Sequence, residues 1–552
     1  MRQSVFLLLL LLPLQASGAM YYMRADGTAT NKEAATGPCG TQANTMNVSV
    51  HNRQSFFPGD RIYLCDDGRD YKTQMNFTSS GSEGNPITYQ AASGDTPVLN
   101  GSEIVSSWSD KPGNVWSATF TSDPYQVLFD ETWGTEELGS CPGDLNVDKE
   151  WCWASNTLYQ YSTSDPDTRY KSPGTEAIMR YNFSNTSGQD YITLDGVTAT
   201  KGVYGIYDGG NGTNLVIKNS TLTFNRYDGI IINGSGSTNL TFDNNVMHDN
   251  YRHGILVAGS NGAKITNNTS YNHNSIDFDC GIAVSNKADG YMIDNNTTYK
   301  NFYGIKSVGG PTNGTISNNT VHDAESFCID LDTDVSGTTV EHNTAYNCGD
   351  HGIVAEIGSD ANIIRYNDVY NVATSAGIHI GAGGENNEVN NNILHDVYDG
   401  IKVFQSTGTT VYNNTVYNAS HDGIVFFSNS TNGNVKNNIV HTTGGVYGIL
   451  NSETNGVCSN NITYAITGSE ITCTTETYNQ ENTDPLMIDQ DNGNFILQSV
   501  SPAINAGVDV SLTKDYAGNA VPYGSAPDIG AYEWGSIEKK PKSPSNIRII
   551  SK

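Results

Sequence analysis

Apolar and polar residues alternate in short runs along most of the chain, and no long stretch has the period of an amphipathic helix. Between residues 242 and 464 one pattern recurs ten times: an asparagine, a Tyr or His three residues later, and then, in most repeats, Gly-Ile. The repeated asparagines are Asn245, Asn268, Asn296, Asn319, Asn343, Asn367, Asn392, Asn414, Asn438 and Asn461. The first and last are 216 residues apart, which gives a mean repeat of 24 residues.

A repeat of this length, rich in β-branched residues and turn glycines, is typical of one coil of a solenoid. We therefore predict an all-β fold, a right-handed parallel β-helix with about 24 residues per coil and a cap at each end. Equivalent positions of successive coils then stack at about 4.8 Å. Aligning the repeats predicts which side chains are neighbours.

The repeat divides the chain into five segments. Residues 1–19 have the basic start, apolar run and small-residue end of a secretory signal peptide, so we expect the protein to be secreted. Residues 20–180 are expected to form an N-terminal cap, the first coils and a tryptophan-rich excursion. We predict regular coils over 181–465, further coils and a C-terminal cap over 466–537, and a disordered tail over 538–552.

Nine cysteines in an exported chain predict disulfides. Proximity in the sequence suggests three pairs: Cys39 with Cys65, Cys141 with Cys152, and Cys458 with Cys473. The remaining cysteines are Cys280, Cys328 and Cys348, so at least one thiol is free. Because Cys280 and Cys328 occupy a repeat position that glycine usually holds, we expect both to be buried structural thiols.

The chain has 29 basic and 58 acidic residues and a formal net charge of −29. This composition excludes a broad basic surface, so nucleic acid is not an expected partner. No segment after residue 19 is apolar enough to span a membrane, and we expect an extracellular monomer. If the partner is an acidic polysaccharide, lysines or a bound divalent cation must balance its charge locally.

Columns of the aligned repeats separate structural positions from candidate sites. The Asn column and the Tyr/His column persist through all ten repeats, and we interpret them as structural ladders. The side chain after Gly-Ile points outward. In four of five successive coils it is charged or titratable, whereas the coils on either side have an apolar residue at this position. The residues in these five coils are Lys306, Asp330, Val354, His379 and Lys402. Two residues further on, the outward column contains two acids, Asp332 and Glu356.

These columns predict an active site that extends over five coils, about 20 Å of the solenoid axis. The candidate catalytic residues are Lys306, His379, Asp330, Asp332 and Glu356. The candidate substrate-binding residues are Lys402, Tyr303, His351 and Asp399. The carboxylates of Asp330, Asp332 and Glu356 are the type of ligand that Ca²⁺ prefers, so they also form a candidate metal site.

A cation at these acids would bind a uronate carboxylate and acidify the proton on C5 of that sugar. Removal of the proton by a nearby base would lead to β-elimination, or to C5 epimerisation if a proton returns from the other face. Lys306 and His379 are the candidate bases because they stack closest to the acids. Lys402 is expected to contact substrate at an outer subsite.

The repeat, the secretory context and the caps resemble secreted right-handed parallel β-helix proteins related to pectate lyases. The stretch Phe327 to Asp332, followed by Glu356, resembles the Tyr-Gly-Phe-Asp-Pro-His active-site motif of mannuronan C5-epimerases and the acid one coil later. By this likeness Asp330 and Glu356 take the two acidic positions. Asp332, Phe327 and Leu331 replace the His, Tyr and Pro of that motif. The resemblance implies a polysaccharide lyase or epimerase.

Two other functions remain open from the residues alone. Asp332 and Glu356, stacked at about 4.8 Å, approximate the carboxylate spacing of a retaining glycoside hydrolase. A non-catalytic β-helix that binds glycans is the other possibility. Such a binder would not need lysine beside clustered acids and should tolerate loss of Asp332.

Overall fold

The computed structural model of the protein describes residues 18–274, 278–441 and 444–535. The predicted tail, and the predicted signal peptide up to residue 17, lie outside the described residues. The fold is the predicted parallel β-helix, with three short strands in each regular coil. Each strand pairs in parallel with its equivalents in the coils before and after it, which builds three ladders along the axis.

The first ladder is a 16-stranded parallel sheet. Its strands are Met20–Met23, Arg61–Leu64, Ile87–Ala91, Ile192–Asp195, Val216–Lys218, Thr241–Asp243, Lys264–Thr266, Met292–Asp294, Thr315–Ser317, Thr339–Glu341, Ile363–Arg365, Glu388–Asn390, Thr410–Tyr412, Asn434–Lys436, Val457–Ser459 and Thr475–Thr477.

The second ladder bears the repeated Tyr and His residues. Its strands are Val98–Asn100, Thr198–Thr200, Thr221–Thr223, Val246–His248, Thr269–Tyr271, Thr297–Tyr299, Thr320–His322, Thr344–Tyr346, Thr415–Tyr417, Ile439–His441 and Ile462–Tyr464. Two long strands, Asp368–Ile380 and Ile393–Phe404, belong to both this ladder and the third.

The third ladder bears the candidate site. Its other strands are Met75–Asn76, Phe183–Ser184, Ile206–Asp208, Ile230–Ile232, Ile255–Ala258, Cys280–Ser285, Tyr303–Val308, Ile329–Asp332, Ile353–Glu356, Ile424–Phe427, Tyr447–Asn451 and Ser469–Cys473.

Alternation along each strand fills the interior of the coils. In the strand Ile329–Asp332, for example, Ile329 and Leu331 are fully buried in the core. Equivalent inward residues of all coils form one continuous hydrophobic cluster from Tyr21 to Ile471. Because each fully buried aliphatic side chain contributes about 1.5–3 kcal/mol, stacking of coils provides most of the driving force.

The repeated asparagines form a hydrogen-bonded ladder, as predicted. The Nδ2 of Asn319 donates to Oδ1 of Asn343 at 2.9 Å and to the carbonyl oxygen of Ile293 at 2.9 Å. The Tyr/His column is also a continuous stack, in which the rings of Tyr271 and Tyr299 are 4.7 Å apart and nearly parallel. Both columns therefore stabilise turns and ladder edges, away from the candidate site.

Four disulfides are present in the described residues. Three are the predicted pairs. The prediction for Cys328 was wrong, since Cys328 pairs with Cys348 across one coil. Cys280 is a free, buried thiol, as predicted. Multiple disulfides are typical of proteins that fold in an oxidising compartment.

The region between residues 102 and 178 forms an excursion of two small sheets. The first contains Ser102–Val105, Gln126–Phe129, Thr132–Trp133 and Thr175–Ile178. The second contains Ser109–Lys111, Val115–Thr119, Thr135–Glu136, Glu150–Ala154 and Thr157–Tyr161. Trp133 packs edge-on against Tyr251 at 5.4 Å, and buried Glu176 accepts from Lys201 at 2.6 Å. These contacts hold the excursion against the solenoid.

The C-terminal segment includes a hairpin of Met487–Asp489 and Asn494–Leu497 that packs on the last coils. Helices are few and short: the α-helices are Val48–His51 and Pro166–Arg169, and the 3₁₀ helices are Lys32–Ala34, Gln42–Asn44 and Gln490–Asn492. None of the helices in the described ranges has the length and apolar character that crossing a membrane requires.

Candidate active site

Strand pairing on the third ladder places the candidate residues in the predicted columns. Lys306 pairs with Asp330, and Asp332 pairs with Glu356 in the following coil. His379 pairs with Val354 on one side and with Lys402 on the other. The structure thus brings Lys306 and the three acids together, and places His379 and Lys402 one and two coils beyond Glu356.

Lys306 forms a buried ion-pair network with two aspartates. Its Nζ lies 2.5 Å from Oδ2 of Asp330 and 3.0 Å from Oδ2 of Asp332. The ring of Tyr303 covers the ammonium group, with its centroid 4.1 Å from Nζ. The Asp330 side chain is completely buried, and its Oδ1 has no hydrogen-bond partner among the described residues. Among the described residues, Asp330 therefore has a polar partner at Oδ2 and none at Oδ1.

The network fixes the protonation of Lys306. Burial alone would lower the pKa of Lys306, but Asp330 and Asp332 outweigh burial and raise it. Burial raises the pKa of Asp330 to about 7, although Lys306 opposes this shift. Lys306 is therefore a firmly held cation that can donate a hydrogen bond but accepts a proton poorly.

Asp332 and Glu356 experience different environments. Asp332 contacts Nζ of Lys306, and its Oδ1 accepts a hydrogen bond of 2.8 Å from the hydroxyl group of Thr333. Glu356 is partly buried, and burial together with the charge of Asp332 raises its pKa. Carboxylate oxygens of Asp330, Asp332 and Glu356 lie within 4.8 Å of one another. The site thus pairs an ion-paired carboxylate with a carboxyl group that retains its proton more readily.

His379, a predicted base, stacks on His351 with a ring-centroid distance of 4.5 Å. Burial, His351 and Lys402 lower the pKa of His379 to about 3. Its Nδ1 has no hydrogen-bond partner within the described part of the chain. A histidine with so low a pKa is a weak proton acceptor, so this geometry argues against His379 as the base.

Lys402 and Asp399 lie beyond the acids and form a separate group. The Nζ of Lys402 is 3.7 Å from Oδ2 of Asp399, and Oδ1 of Asp399 is 2.8 Å from Nδ1 of His421. Asp422 completes this group, with Oδ2 3.2 Å from the same nitrogen. The predicted substrate-binding residues therefore lie on the same face as the acids, Tyr303 beside Lys306 and Lys402 at an outer position.

Lys306 lies where the candidate calcium ion would bind. The three carboxylates of the candidate site supply suitable oxygen donors, but the Lys306 ammonium group already contacts two of them. Ca²⁺ takes six to eight oxygen ligands, so it would have to displace Lys306 and recruit further donors. As arranged, the residues fit Ca²⁺ poorly, and calcium binding stays a prediction.

A cavity of about 490 Å³ adjoins the acids on the side of the N-terminus and was not predicted. Leu256, Ala283 and Val308 contribute to its largely apolar wall, and Arg252 and Lys306 also line it. Val308 pairs directly with Asp332, so the cavity opens beside the acids. Arg252 stands two residues before the pair Gly254-Ile255, in a column of the repeat that the sequence prediction did not use. Extending that column would have shown the arginine.

The family model for the right handed beta helix region matches residues 182–344, 253–398 and 333–484, which together cover more than half of the chain. The protein belongs to the right-handed β-helix family. No curated protein sequence matches the chain.

Solved structures with this β-helix architecture include carbohydrate-active proteins of several kinds. A complex of XylC with xylose is 15% identical, with a TM-score of 0.49, and covers 94% of this chain and 99% of that one. Pectate lyase Pel9A is 15% identical, with a TM-score of 0.33, and its match covers 94% of this chain and 97% of the Pel9A chain. The A-module of mannuronan C-5 epimerase AlgE4 from Azotobacter vinelandii is 11% identical, with a TM-score of 0.35. Its match covers 76% of this chain and 90% of the A-module chain. These likenesses concern the fold alone.

Proposed function

We propose that this β-helix protein is a carbohydrate-active enzyme, a retaining glycoside hydrolase with Asp332 as nucleophile and Glu356 as acid and base. The observation that supports this proposal best is the contrast between the two paired carboxyl groups. Asp332 is ion-paired with Lys306, whereas burial raises the pKa of Glu356. Two neighbouring carboxyl groups with divergent environments are the usual basis of acid and nucleophile roles in glycosidases.

The spacing of the pair favours retention. Asp332 and Glu356 pair directly on adjacent strands, so their side chains stack about 4.8 Å apart. Retaining enzymes hold their carboxyl groups about 5–5.5 Å apart, whereas inverting enzymes leave about 6.5–9.5 Å for a water molecule. The short separation therefore supports direct attack by a carboxylate.

In the first step, an oxygen of Asp332 forms a bond to the anomeric carbon while Glu356 gives its proton to the departing glycosidic oxygen. In the second step, Glu356 takes a proton from water, and the resulting hydroxide displaces Asp332 from the sugar. Lys306 orients Asp332 through their ion pair but does not exchange a proton.

The hydrolase predicts a decrease of kcat/KM at alkaline pH. Glu356 must be protonated to act as the acid, so activity should fall as pH rises through the raised pKa of Glu356. With an aryl glycoside whose leaving group needs no protonation, Glu356→Gln should remove the alkaline limb. An alkaline limb that persists in this variant would assign the acid to another residue.

A calcium-dependent lyase or epimerase acting on an acidic polysaccharide is the second candidate. The close approach of three carboxylates favours it, but a lyase also needs a proton acceptor. The raised pKa of Lys306 and the low pKa of His379 make both predicted bases poorly suited in this arrangement.

Chelation separates the two candidates. For the hydrolase we expect full activity after exhaustive treatment with EDTA, and new reducing ends without an ultraviolet-absorbing unsaturated product. Screening should include alginate, pectate, glycosaminoglycans and neutral polysaccharides. Loss of activity on chelation, restored by Ca²⁺ and accompanied by the unsaturated chromophore, would establish the lyase instead.

A further inference from the structure

The cavity beside Asp332 has an unusual charge for this protein. The chain has a net charge of −29, yet none of the described residues lining the cavity is Asp or Glu. Its charged residues are Arg252 at one end and Lys306 at the other. His253 also lines the cavity, but burial lowers its pKa to about 3, so it is neutral at pH 7. Both charged side chains that line the cavity are therefore cations.

Arg252 has hydrogen-bonding capacity that its neighbours do not use. Its Nε is 3.7 Å from Oδ1 of buried Asp228, which is longer than a hydrogen bond. The arginine side chain is 37% exposed, and its guanidinium group lies 5.7 Å from the ring of Tyr227. Arginine can hold a carboxylate or sulfate through two parallel N–H donors. Arg252 is thus suited to receive an anionic group.

Lys306, in contrast, is already neutralised. Asp330 and Asp332 both contact its ammonium group. An anion that entered the cavity would therefore meet its available partner at the Arg252 end. The strand that bears Leu256 pairs with the strand of Ala283, which pairs with that of Lys306. Two coils, or about 10 Å, separate the two cations along the axis.

We propose that the cavity binds a sugar with an anionic substituent, whose carboxylate or sulfate contacts Arg252. Three coils, or about 14 Å, separate Arg252 from Asp332, so the glycosidic bond at Asp332 and Glu356 lies two or three sugars further along the same glycan. The placement of the glycosidic bond rests on the proposed hydrolase, whereas the anion site stands on the cavity itself. Leu256, Ala283 and Val308 provide an apolar wall for the C–H face of the sugar ring. The substrate class is glycans that contain hexuronates or sulfated sugars.

Calorimetric binding of free sugars tests the site without requiring turnover. The probes are glucuronate, galacturonate and mannuronate, the corresponding 6-sulfated hexoses, and the neutral parent hexoses. We expect at least one anionic sugar to bind about tenfold or more tightly than its neutral parent, and salt to weaken that binding. A preference for the carboxylates or for the sulfates identifies the natural substituent.

Arg252→Gln should weaken binding of the anionic sugar by about tenfold or more and leave binding of the neutral parent unchanged. Arg252→Lys should retain part of the preference. Lys287→Gln is the matched control, since Lys287 is exposed two residues after Ser285 and does not line the cavity. Because Arg252→Gln leaves Asp228 buried without its cation, the double variant Asp228→Asn/Arg252→Gln should be measured beside it.

Equal binding of charged and neutral sugars by the unaltered protein, or no binding of any anionic probe, would overturn the anion site. So would an unchanged preference in both Arg252→Gln variants. These outcomes do not depend on the hydrolase, which fails separately if loss of Asp332 leaves turnover intact.

Discussion

Asp332→Asn should reduce glycoside hydrolysis by on the order of 10⁴-fold, because it removes the atom that attacks the anomeric carbon. The fold should persist, since the side chain points outward and its strand neighbours in the core, Ile329 and Leu331, are unchanged. The measurement is kcat with an aryl glycoside or with the glycan identified by screening, together with circular dichroism of the variant.

Sodium azide supplies a sharper test of the same residue. With the carboxylate removed, azide can enter the vacated position and attack the anomeric carbon. We expect azide to restore turnover in Asp332→Ala, whose shortened side chain leaves room for it, and to give a glycosyl azide of inverted anomeric configuration. Asp334→Asn is the matched control, because Asp334 is an exposed carboxylate two residues further on. An Asp332→Asn variant with normal activity would exclude this nucleophile.

The repeat made the fold predictable from the sequence. A buried asparagine in every coil can satisfy its amide only through the coils beside it, so a 24-residue period specifies both the architecture and the register. Because register follows from the period, the columns that bring Lys306 beside Asp330 and Asp332 beside Glu356 could also be predicted.

The protonation states could not be predicted in the same way. A column gives the order of side chains, but the pKa of a group depends on burial and on separations of a few ångströms. Lys306 was predicted as a base from its position alone. Its contact of 2.5 Å with Asp330 is what makes it a held cation. The cavity depends on small side chains such as Ala283 and on the depth of the groove, which the repeat pattern does not encode.

The Cys328–Cys348 disulfide was missed for a related reason. Cys328 was interpreted by its position in the glycine column, although Cys348 is closer to it in the sequence than Cys65 is to Cys39. The cysteines lie 20 residues apart, nearly one coil, so their Cα atoms are only 5.6 Å apart in space. Distance along the solenoid axis decides such pairing more than distance along the chain.

The second large effect concerns Lys306 and stability. Lys306→Met should destabilise the protein by about 1–3 kcal/mol, because the fully buried Asp330, whose pKa burial already raises to about 7, becomes protonated and loses its partner. Activity should fall as well, since Asp332 loses its ion pair. Urea denaturation at pH 7 measures the first effect and kcat the second.

Lys306→Met/Asp330→Leu separates the two effects. Replacing both members of a buried ion pair with apolar residues also removes the buried carboxyl group that has lost its partner, so we expect most of the lost stability to return. Activity should stay low, because Asp332 still lacks the cation that orients it. If instead the double variant recovered both stability and turnover, Lys306 would have only a structural role. Equal stability of Lys306→Met and the unaltered protein would contradict the buried ion pair itself.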